Sequence, residues 1–450
     1  KGLPMETTTT LKIGVRAEDK NPWERRTPLM PEALAALQTK GVDVTVQTSG
    51  QRAIADAEFE AAGVPVRGDL KDRQLVMGIK EIPPEKIAPE TVYCLFAHVI
   101  KGQSYNMPML SRLMAVGATL IDYERIADSQ NRRLVFFGRH AGLAGMINTL
   151  WALGLRLSHE GLASPFKALR QARHYGDLVQ AKQALEAVGA AIADQGLPKQ
   201  LHPLVVGITG YGNVARGAEE VLDLLPVKTF TPAQLVAAAS SPESLSPGTV
   251  YKVVFKEADI VAPNDPLQRF DLTDYYANGH QKYHSVFTHY LSLLTLLVNC
   301  NYWDDRYPRL VTREDCLRLW GRGRNHKLKV IGDLACDVDG AVACTRKAAC
   351  PDRPLYCYEP TGDQVSDGVV GDGPVVMAVE ILPTELPYES SRHFSRALSP
   401  YLMDLVTTDY HVPFDDLALP EEIKRAVIVY RGELTPHYRY LDAHLHPKEV

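Results

Sequence analysis

No CxxC pair occurs in this chain, and none of its seven cysteines (Cys94, Cys300, Cys316, Cys336, Cys344, Cys350 and Cys357) falls in a Cys/His cluster with metal-ligand spacing. That argues against a zinc module and predicts no metal site. The odd count points to buried, reduced thiols. No dense Lys/Arg run is present and the net charge is only −5, so neither a nucleic-acid footprint nor a polybasic membrane patch is expected. The longest strongly apolar stretch, YLSLLTLLVNCNYW (290–303), is too short to span a bilayer. Internal repeats, low-complexity tracts and a secretory signal are also missing. The opening KGLPMETTTT reads as a tag remnant ahead of a starting Met5 and is set aside.

What is present is an ordinary globular composition, 45% hydrophobic and 23% charged, over 450 residues. That length exceeds a single ordinary core, so two or more domains are expected. Short apolar runs alternate with helical patterns. LKIGVRAED (11–19) opens with a strand, and PEALAALQTKG (31–41) is a helix with Pro near its start and Gly past its end. VDVTVQTS (42–49) alternates like a strand, DAEFEAAG (56–63) is a short helix, and LVMGIK (75–80) and VYCLFAH (92–98) are buried parallel-type strands. NMPMLSRLMAVG (106–117) is helical and ATLIDYE (118–124) a strand. A long helix over 141–161, small-sided and expected to cross between domains, and another over 178–196 precede a second α/β set. That set starts at 203–226 and continues through 248–255 to 326–337. The stretch 256–325 is aromatic-rich and gives no clear assignment. Such alternation predicts parallel sheets with right-handed crossovers.

In PLVVGITGYGNVARGAEE a buried strand runs into a glycine turn and a helix. Gly210 and Gly212 supply G-x-G, and Ala215 stands where a third small residue is wanted. The pattern suits a pyrophosphate held on backbone N–H groups at a helix N-terminus; a tight structural turn is the competing explanation. The next strand, near VKTF (227–230), is not followed by an acidic residue for a ribose 2′-hydroxyl, which leans slightly towards NADP over NAD.

Lys80 and His98 end two successive apolar runs. A lysine at a strand end is commonly just solvated and a lone histidine commonly structural. At one edge of a parallel sheet, however, the two would suit amine–carbonyl chemistry, in which protons move at several steps. Arg16, Arg25 and Arg26 crowd one loop, and Arg132 and Arg133 another. They serve either surface ion pairs or bidentate carboxylate capture. Asp333, Asp337 and Asp339 follow a strand of the second set, as a polar turn or as a group aimed at substrate.

RAEDKNPWERRTPL, GIKEIP, FAHVIKGQ, LIDYERI, FFGRHAGLAGMINTLWALGLRL, GITGYGNVARGA, NYWDDRYPRLVT and GDLACDVDGA occur in an order that resembles the lysine-ketoglutarate reductase family, the N-terminal half of bifunctional aminoadipic semialdehyde synthases. More distantly the chain resembles fungal lysine-forming saccharopine dehydrogenases and alanine dehydrogenase. The resemblance runs from about residue 11 to about 445. It implies two Rossmann-like, doubly wound parallel-sheet domains with an interdomain active-site cleft. The substrate domain would take 11–139, the dinucleotide-binding domain 140–344, and a C-terminal segment, 345–450, would return to the substrate domain.

The reaction implied is reductive condensation of L-lysine with 2-oxoglutarate to saccharopine using NADPH. Lys80 and His98 match the family's acid–base pair. Arg26 and Arg133 match its carboxylate-binding arginines, and Glu81, Lys101, Gln103, Glu124 and Asp337 other substrate-site positions. Gly210, Gly212, Asn213 and Val214 match its dinucleotide turn. Rival readings are an NAD-dependent saccharopine or alanine dehydrogenase and a non-catalytic nucleotide-binding subunit. A homo-oligomer, and a fused or separate saccharopine-oxidising domain, are compatible partners. The expected compartment is the cytoplasm, with the mitochondrial matrix as alternative. Ending at HLHPKEV, the chain is either a stand-alone reductase or a piece of a longer protein.

Overall fold

The computed structural model describes residues 11–320 and 327–445, so the opening decapeptide and the last residues of HLHPKEV lie outside the described residues. Two compact units are present. One contains the chain up to Phe137 and again from Pro387; the other is Gly138–Leu386.

In the first unit the sheet order is β18-β17-β6-β5-β4-β1-β2-β3. Its strands are β1 (Ile13–Val15), β2 (Val44–Gln47), β3 (Val66–Arg67), β4 (Leu75–Met77), β5 (Val92–Leu95) and β6 (Thr119–Asp122), with β17 (Val427–Tyr430) and β18 (Glu433–Leu434) from the returning segment. β1 to β6 are mutually parallel, and β17 adds antiparallel to β6. β1, β4, β5 and β6 are buried along their whole length, which is why they read as unbroken apolar runs rather than alternating ones. From β1 the chain winds outward to β2 and β3, then crosses back so that β4 lands on the other side of β1. The switch of direction opens a crevice between the carboxyl ends of β1 and β4, where α/β sheets bind ligands.

The second unit repeats this logic. Its sheet runs β15-β14-β16-β13-β12-β7-β9-β8. The parallel members are β7 (Leu204–Thr209), β8 (Val227–Phe230), β9 (Val250–Phe255), β12 (Leu296–Asn299), β13 (Val330–Asp333) and β16 (Val375–Met377). β14 (Leu355–Glu359) and β15 (Gln364–Asp367) close one edge antiparallel. A separate ribbon pairs β10 (Val261–Pro263) with β11 (Tyr283–Ser285). Here the switch of direction falls between β7 and β12.

Two sequence expectations are corrected. The return to the first unit begins at Pro387, not at 345, because 355–377 supply three strands to the second sheet. The long helix is Gly138–His159 and lies wholly in the second unit, not across domains. It packs on the helix Asn213–Leu222 so closely that a Cβ on Gly142 would sit 1.9 Å from the Val214 carbonyl oxygen. That approach accounts for its small-residue side.

Candidate active site

Around the crevice of the first unit, four strand ends deliver ionisable groups. Arg16 and Glu18 follow β1, Lys80 and Glu81 follow β4, His98 follows β5, and Asp122 ends β6. The β4–β5 pairing carries on past the strands, with Gly78 N–H donating to Cys94 O and Phe96 N–H to Ile79 O, 3.0 Å each. This continuation holds the two terminal loops side by side. His98 adopts a left-handed backbone (φ 48°), unusual for a side-chain-bearing residue.

Glu81 is the hub. Its Oε1 lies 2.9 Å from His98 Nδ1, accepts from Asn106 Nδ2 at 3.2 Å, and is 3.7 Å from Lys20 Nζ. Asn106 also donates to the carbonyls of Ala97 and His98, 3.1 Å each, fixing the loop that carries the imidazole. Burial raises the Glu81 carboxyl, but His98 and the charge of Lys80 outweigh it and hold the group down at about 2. A carboxylate on Nδ1 places the proton there and leaves Nε2 as the working nitrogen. Glu81 Oε2 is buried without a hydrogen-bond partner among the described residues, an acceptor awaiting a cation.

Two further carboxyls back the crevice. Glu18 accepts from the backbone N–H groups of Ile79 (2.6 Å) and Lys80 (3.0 Å) and from Arg16 Nη1 (3.2 Å). Burial nevertheless pushes it up to about 7. Asp122, fully buried, is likewise pushed to about 7 by desolvation, with His98 opposing. Neither was singled out in sequence, where one carboxyl in a loop looks like any other. Asn106, inside a helical pattern, gave no signal either.

The arginines stand differently from what carboxylate capture requires. Arg26 is buried, its fork spent on Glu24 (2.8 and 2.6 Å), and it stacks 4.1 Å over the Phe137 ring. Arg133, half exposed, pairs with Glu124. Both Arg26 and Arg133 therefore hold internal carboxylates in this structure. Lys101 is exposed, and its backbone N–H donates to Gln103 Oε1 at 3.1 Å.

In the second unit Gly210 follows β7 with φ 86°, and a Cβ there would meet Asn301 Oδ1 at 2.6 Å. Gly212 is the N-cap of the helix Asn213–Leu222, whose first turn presents Asn213 and Val214. Apart from its neighbours in the chain, no described residue comes within 4 Å of a Cβ built on Gly212. Its glycine is thus not required by packing, and the free space fits a phosphate brought against the backbone. Between the ends of β9 and β12 opens a cavity of about 270 Å³ lined by Tyr275, Tyr276, Asn301 and Trp303 among others, large enough for a purine ring.

The lean towards NADP from the residues after VKTF loses its basis. β8 is the edge strand, and the strand beside β7 is β9, which is followed by Lys256 and Glu257. Glu257 accepts from Tyr276 Oη at 2.6 Å and Tyr211 Oη at 3.3 Å. Lys256 Nζ lies 5.9 Å over the Tyr211 ring. Of the aspartates after β13, Asp333 is buried and joins Asn299 (2.8 Å) and Thr345 (2.5 Å), Asp339 pairs with Arg346 (3.2 Å), and Asp337 is exposed.

Comparison with known proteins fits this architecture. The sequence model of the alanine dehydrogenase/PNT N-terminal domain matches residues 14–144. The whole chain is similar to alpha-aminoadipic semialdehyde synthase of Arabidopsis thaliana, 38% identical over 446 residues, which cover 95% of this chain and 41% of that protein. The mitochondrial enzyme of the same name from Bos taurus is 32% identical, covering 95% and 47%. The chain therefore spans less than half the length of these relatives. Saccharopine dehydrogenase [NAD(+), L-lysine-forming] of Schizosaccharomyces pombe is 28% identical and covers 88% of this chain and 94% of that protein. Among solved structures an L-alanine dehydrogenase superposes with a TM-score of 0.61 at 18% identity, covering 97% of this chain and all of that one. A Sinorhizobium meliloti transhydrogenase gives 0.54 at 16%, covering 94% and 100%. These two matches concern the fold alone. Among the described residues no helix is long and apolar enough to cross a membrane, and no His/Cys/Asp/Glu group is placed to hold a metal.

Proposed function

We propose that the protein is a lysine–2-oxoglutarate reductase, condensing L-lysine with 2-oxoglutarate and reducing the product to saccharopine with NADPH. The observation that carries the reading is the Lys80–Glu81–His98 cluster at the switch point of the first sheet. The names of the similar synthases and dehydrogenases support it. Substrate belongs to this edge of the first unit and coenzyme to the glycine turn of the second.

The proposed chemistry follows from the side chains. His98 Nε2 and the Lys80 amine exchange the protons, with Glu81 keeping the imidazole on its Nδ1–H tautomer. The lysine substrate loses one ammonium proton to one of the pair, its nitrogen bonds to the keto carbon as the C=O π bond breaks, and a second nitrogen proton passes to that oxygen to give a carbinolamine. The other then protonates the carbinolamine hydroxyl, the C–O bond breaks, and water leaves an iminium. Glu81 Oε2 and the deprotonated fraction of Asp122 stabilise that cation. When bound, the nicotinamide supplies the hydride that reduces it. Gly210, Gly212, Asn213 and Val214 hold its pyrophosphate. Arg133 meets a substrate carboxylate by exchanging Glu124 for it, and Arg26 by its remaining N–H groups. Lys101, Gln103 and Asp337 remain proposed substrate contacts from the family resemblance, and a cytoplasmic or mitochondrial setting is equally part of the proposal.

For the coenzyme, Lys256 offers an ammonium to a 2′-phosphate while two tyrosine hydroxyls occupy Glu257. Glu257 also favours the second reading, an NAD-dependent enzyme, since a carboxylate at that strand end can take a ribose 2′-hydroxyl. Loss of NADPH absorbance with lysine plus 2-oxoglutarate, run against NADH and against ammonia plus pyruvate, separates the readings. The proposal expects turnover only with lysine plus 2-oxoglutarate and faster with NADPH. Lys256→Ala should then cut kcat/KM for NADPH about tenfold and leave that for NADH unchanged. An NADH preference that survives the substitution would hand the assignment to the second reading.

A further inference from the structure

At the end of the second sheet opposite the glycine turn lies a cavity of about 470 Å³. It sits at the amino ends of β7, β12 and β13, and β7 alone places about 20 Å between this end and Gly210. Its walls are apolar, formed by Val205, Phe230, Leu235, Ala238, Leu245 and Leu293. Such a lining would be an ordinary packing defect if nothing polar faced it.

Polar groups do, four of them titratable: Lys327, Lys329, His202 and Glu160. Lys327 lines the cavity, and no described residue gives it a hydrogen bond or counter-charge. The six residues before it, GRGRNH, contain no acid. Beside it His202 lines the same space, with a buried Nδ1 that lacks any partner among the described residues. The one carboxylate present, Glu160, is already shared by Arg156 Nε at 2.6 Å and Lys329 Nζ at 2.8 Å. The cavity thus holds an excess of positive charge in apolar surroundings. Buried charges in proteins are paired or they titrate away. Desolvation accordingly lowers the Lys327 ammonium to about 8, while Lys329 and Arg156 keep Glu160 ionised despite its burial. A volume of this size is in the range of small-molecule pockets.

We propose that this cavity is a second ligand site, distinct from the coenzyme turn, that takes a small apolar monocarboxylate, with its carboxylate on Lys327 and its hydrocarbon against the Val205–Leu235–Leu293 wall. His202 Nδ1 offers a second hydrogen bond to the same carboxylate when it carries the proton. Nothing in the proposed reductase chemistry uses these residues, so the site stands or falls by itself.

Octanoate is the probe. Calorimetric titration of the full chain should give saturable binding at one site per chain, unaffected by saturating NADPH. Octanol, the same tail without the charge, should bind at least tenfold more weakly. Lys327→Met, which keeps the stem and removes the ammonium, should weaken octanoate at least tenfold and leave the unfolding midpoint and NADPH affinity unchanged. Ala238→Phe, filling the wall, should weaken octanoate and octanol alike and serves if the first variant does not fold. Octanoate affinity should fall as pH rises past about 8, where Lys327 loses its charge; His202, Glu160 and Lys329 are the other titratable groups that face the cavity. Absence of saturable binding, competition with NADPH, or an unchanged affinity in Lys327→Met would overturn the proposal. Equal binding of octanol and octanoate would overturn it too, since the cavity would then be an apolar face without charge recognition.

Discussion

His98 is partly exposed yet bonded to a buried carboxylate, Glu81, and Lys80 precedes that carboxylate in the chain. The proposed acid–base role predicts that His98→Gln and Lys80→Met each lower kcat by about two to four orders of magnitude. Steady-state turnover with all three substrates checks this, and wild-type turnover in either variant removes that residue from the chemistry. Glu81 acts through the imidazole. Glu81→Gln keeps the shape and removes the carboxylate that orients the His98 Nδ1–H. The expected result is a smaller loss in kcat, about tenfold to a hundredfold as for other orienting partners. KM for lysine and for 2-oxoglutarate and the unfolding midpoint should stay at wild-type values. A purely structural role for Glu81 would lower the midpoint instead. At this scale the sequence carried much of the site: ionisable residues closing two neighbouring apolar runs are visible without coordinates. What was invisible is the second layer. Glu18, Asn106 and Asp122 owe their roles to burial and to partners distant in the chain, which no local pattern encodes.

The same contrast holds among the elements. Long buried strands announced themselves by continuous apolar runs, and β1, β4, β5, β7 and β9 lie close to where the sequence puts them. β12 did not, although it is central to the second sheet, because its run merges with an aromatic-rich stretch and lacks flanking turn signals. Nor could sequence order show that β9 inserts between β7 and β8, which moves the strand end beside the glycine turn from β8 to β9. The returning boundary at 387 was missed for a related reason. Strands added antiparallel at a sheet edge carry no βαβ rhythm. The glycine turn itself is an element whose two glycines do different work, and this yields a paired prediction. Gly210→Ala forces a left-handed residue to carry a Cβ against Asn301 and should cost about 1 kcal/mol or more in stability along with coenzyme affinity. Gly212→Ala meets no described residue beyond its chain neighbours, so stability should change by less than about 0.5 kcal/mol while the dissociation constant for the coenzyme rises severalfold. Equal losses of stability in the two variants would mean that Gly212 is held by the fold rather than by a ligand.

Across the whole chain, burial of carboxyls without full ion pairing sets how stability depends on pH. Desolvation raises Glu18, Asp122 and Glu385 each to about 7, although Arg16 opposes it at Glu18 and the amides of Asn148 and Gln171, 2.9 Å away, oppose it at Glu385. Unfolded, these groups lose their protons near the ordinary carboxylate range of about 4. Between that range and pH 7 the unfolded chain binds fewer protons than the folded one. Their contribution is therefore fully present below the unfolded value and is lost as pH rises through about 7, at roughly 1.4 kcal/mol per unit for each group. Glu81 has the opposite sign. Held at about 2, its contribution is present above the ordinary carboxylate value and is lost as pH falls towards 2. Together they predict an unfolding midpoint that is highest near pH 4 and declines from there to about pH 7. Glu385 belongs to the second unit and to no proposed site, so Glu385→Gln tests the account without touching chemistry. Melts followed by circular dichroism from pH 5 to 8 should show a shallower decline for the variant than for wild type. Parallel curves would mean that Glu385 is ionised in the fold at neutral pH, and the amide cage of Asn148 and Gln171 would then be compensating its charge in full.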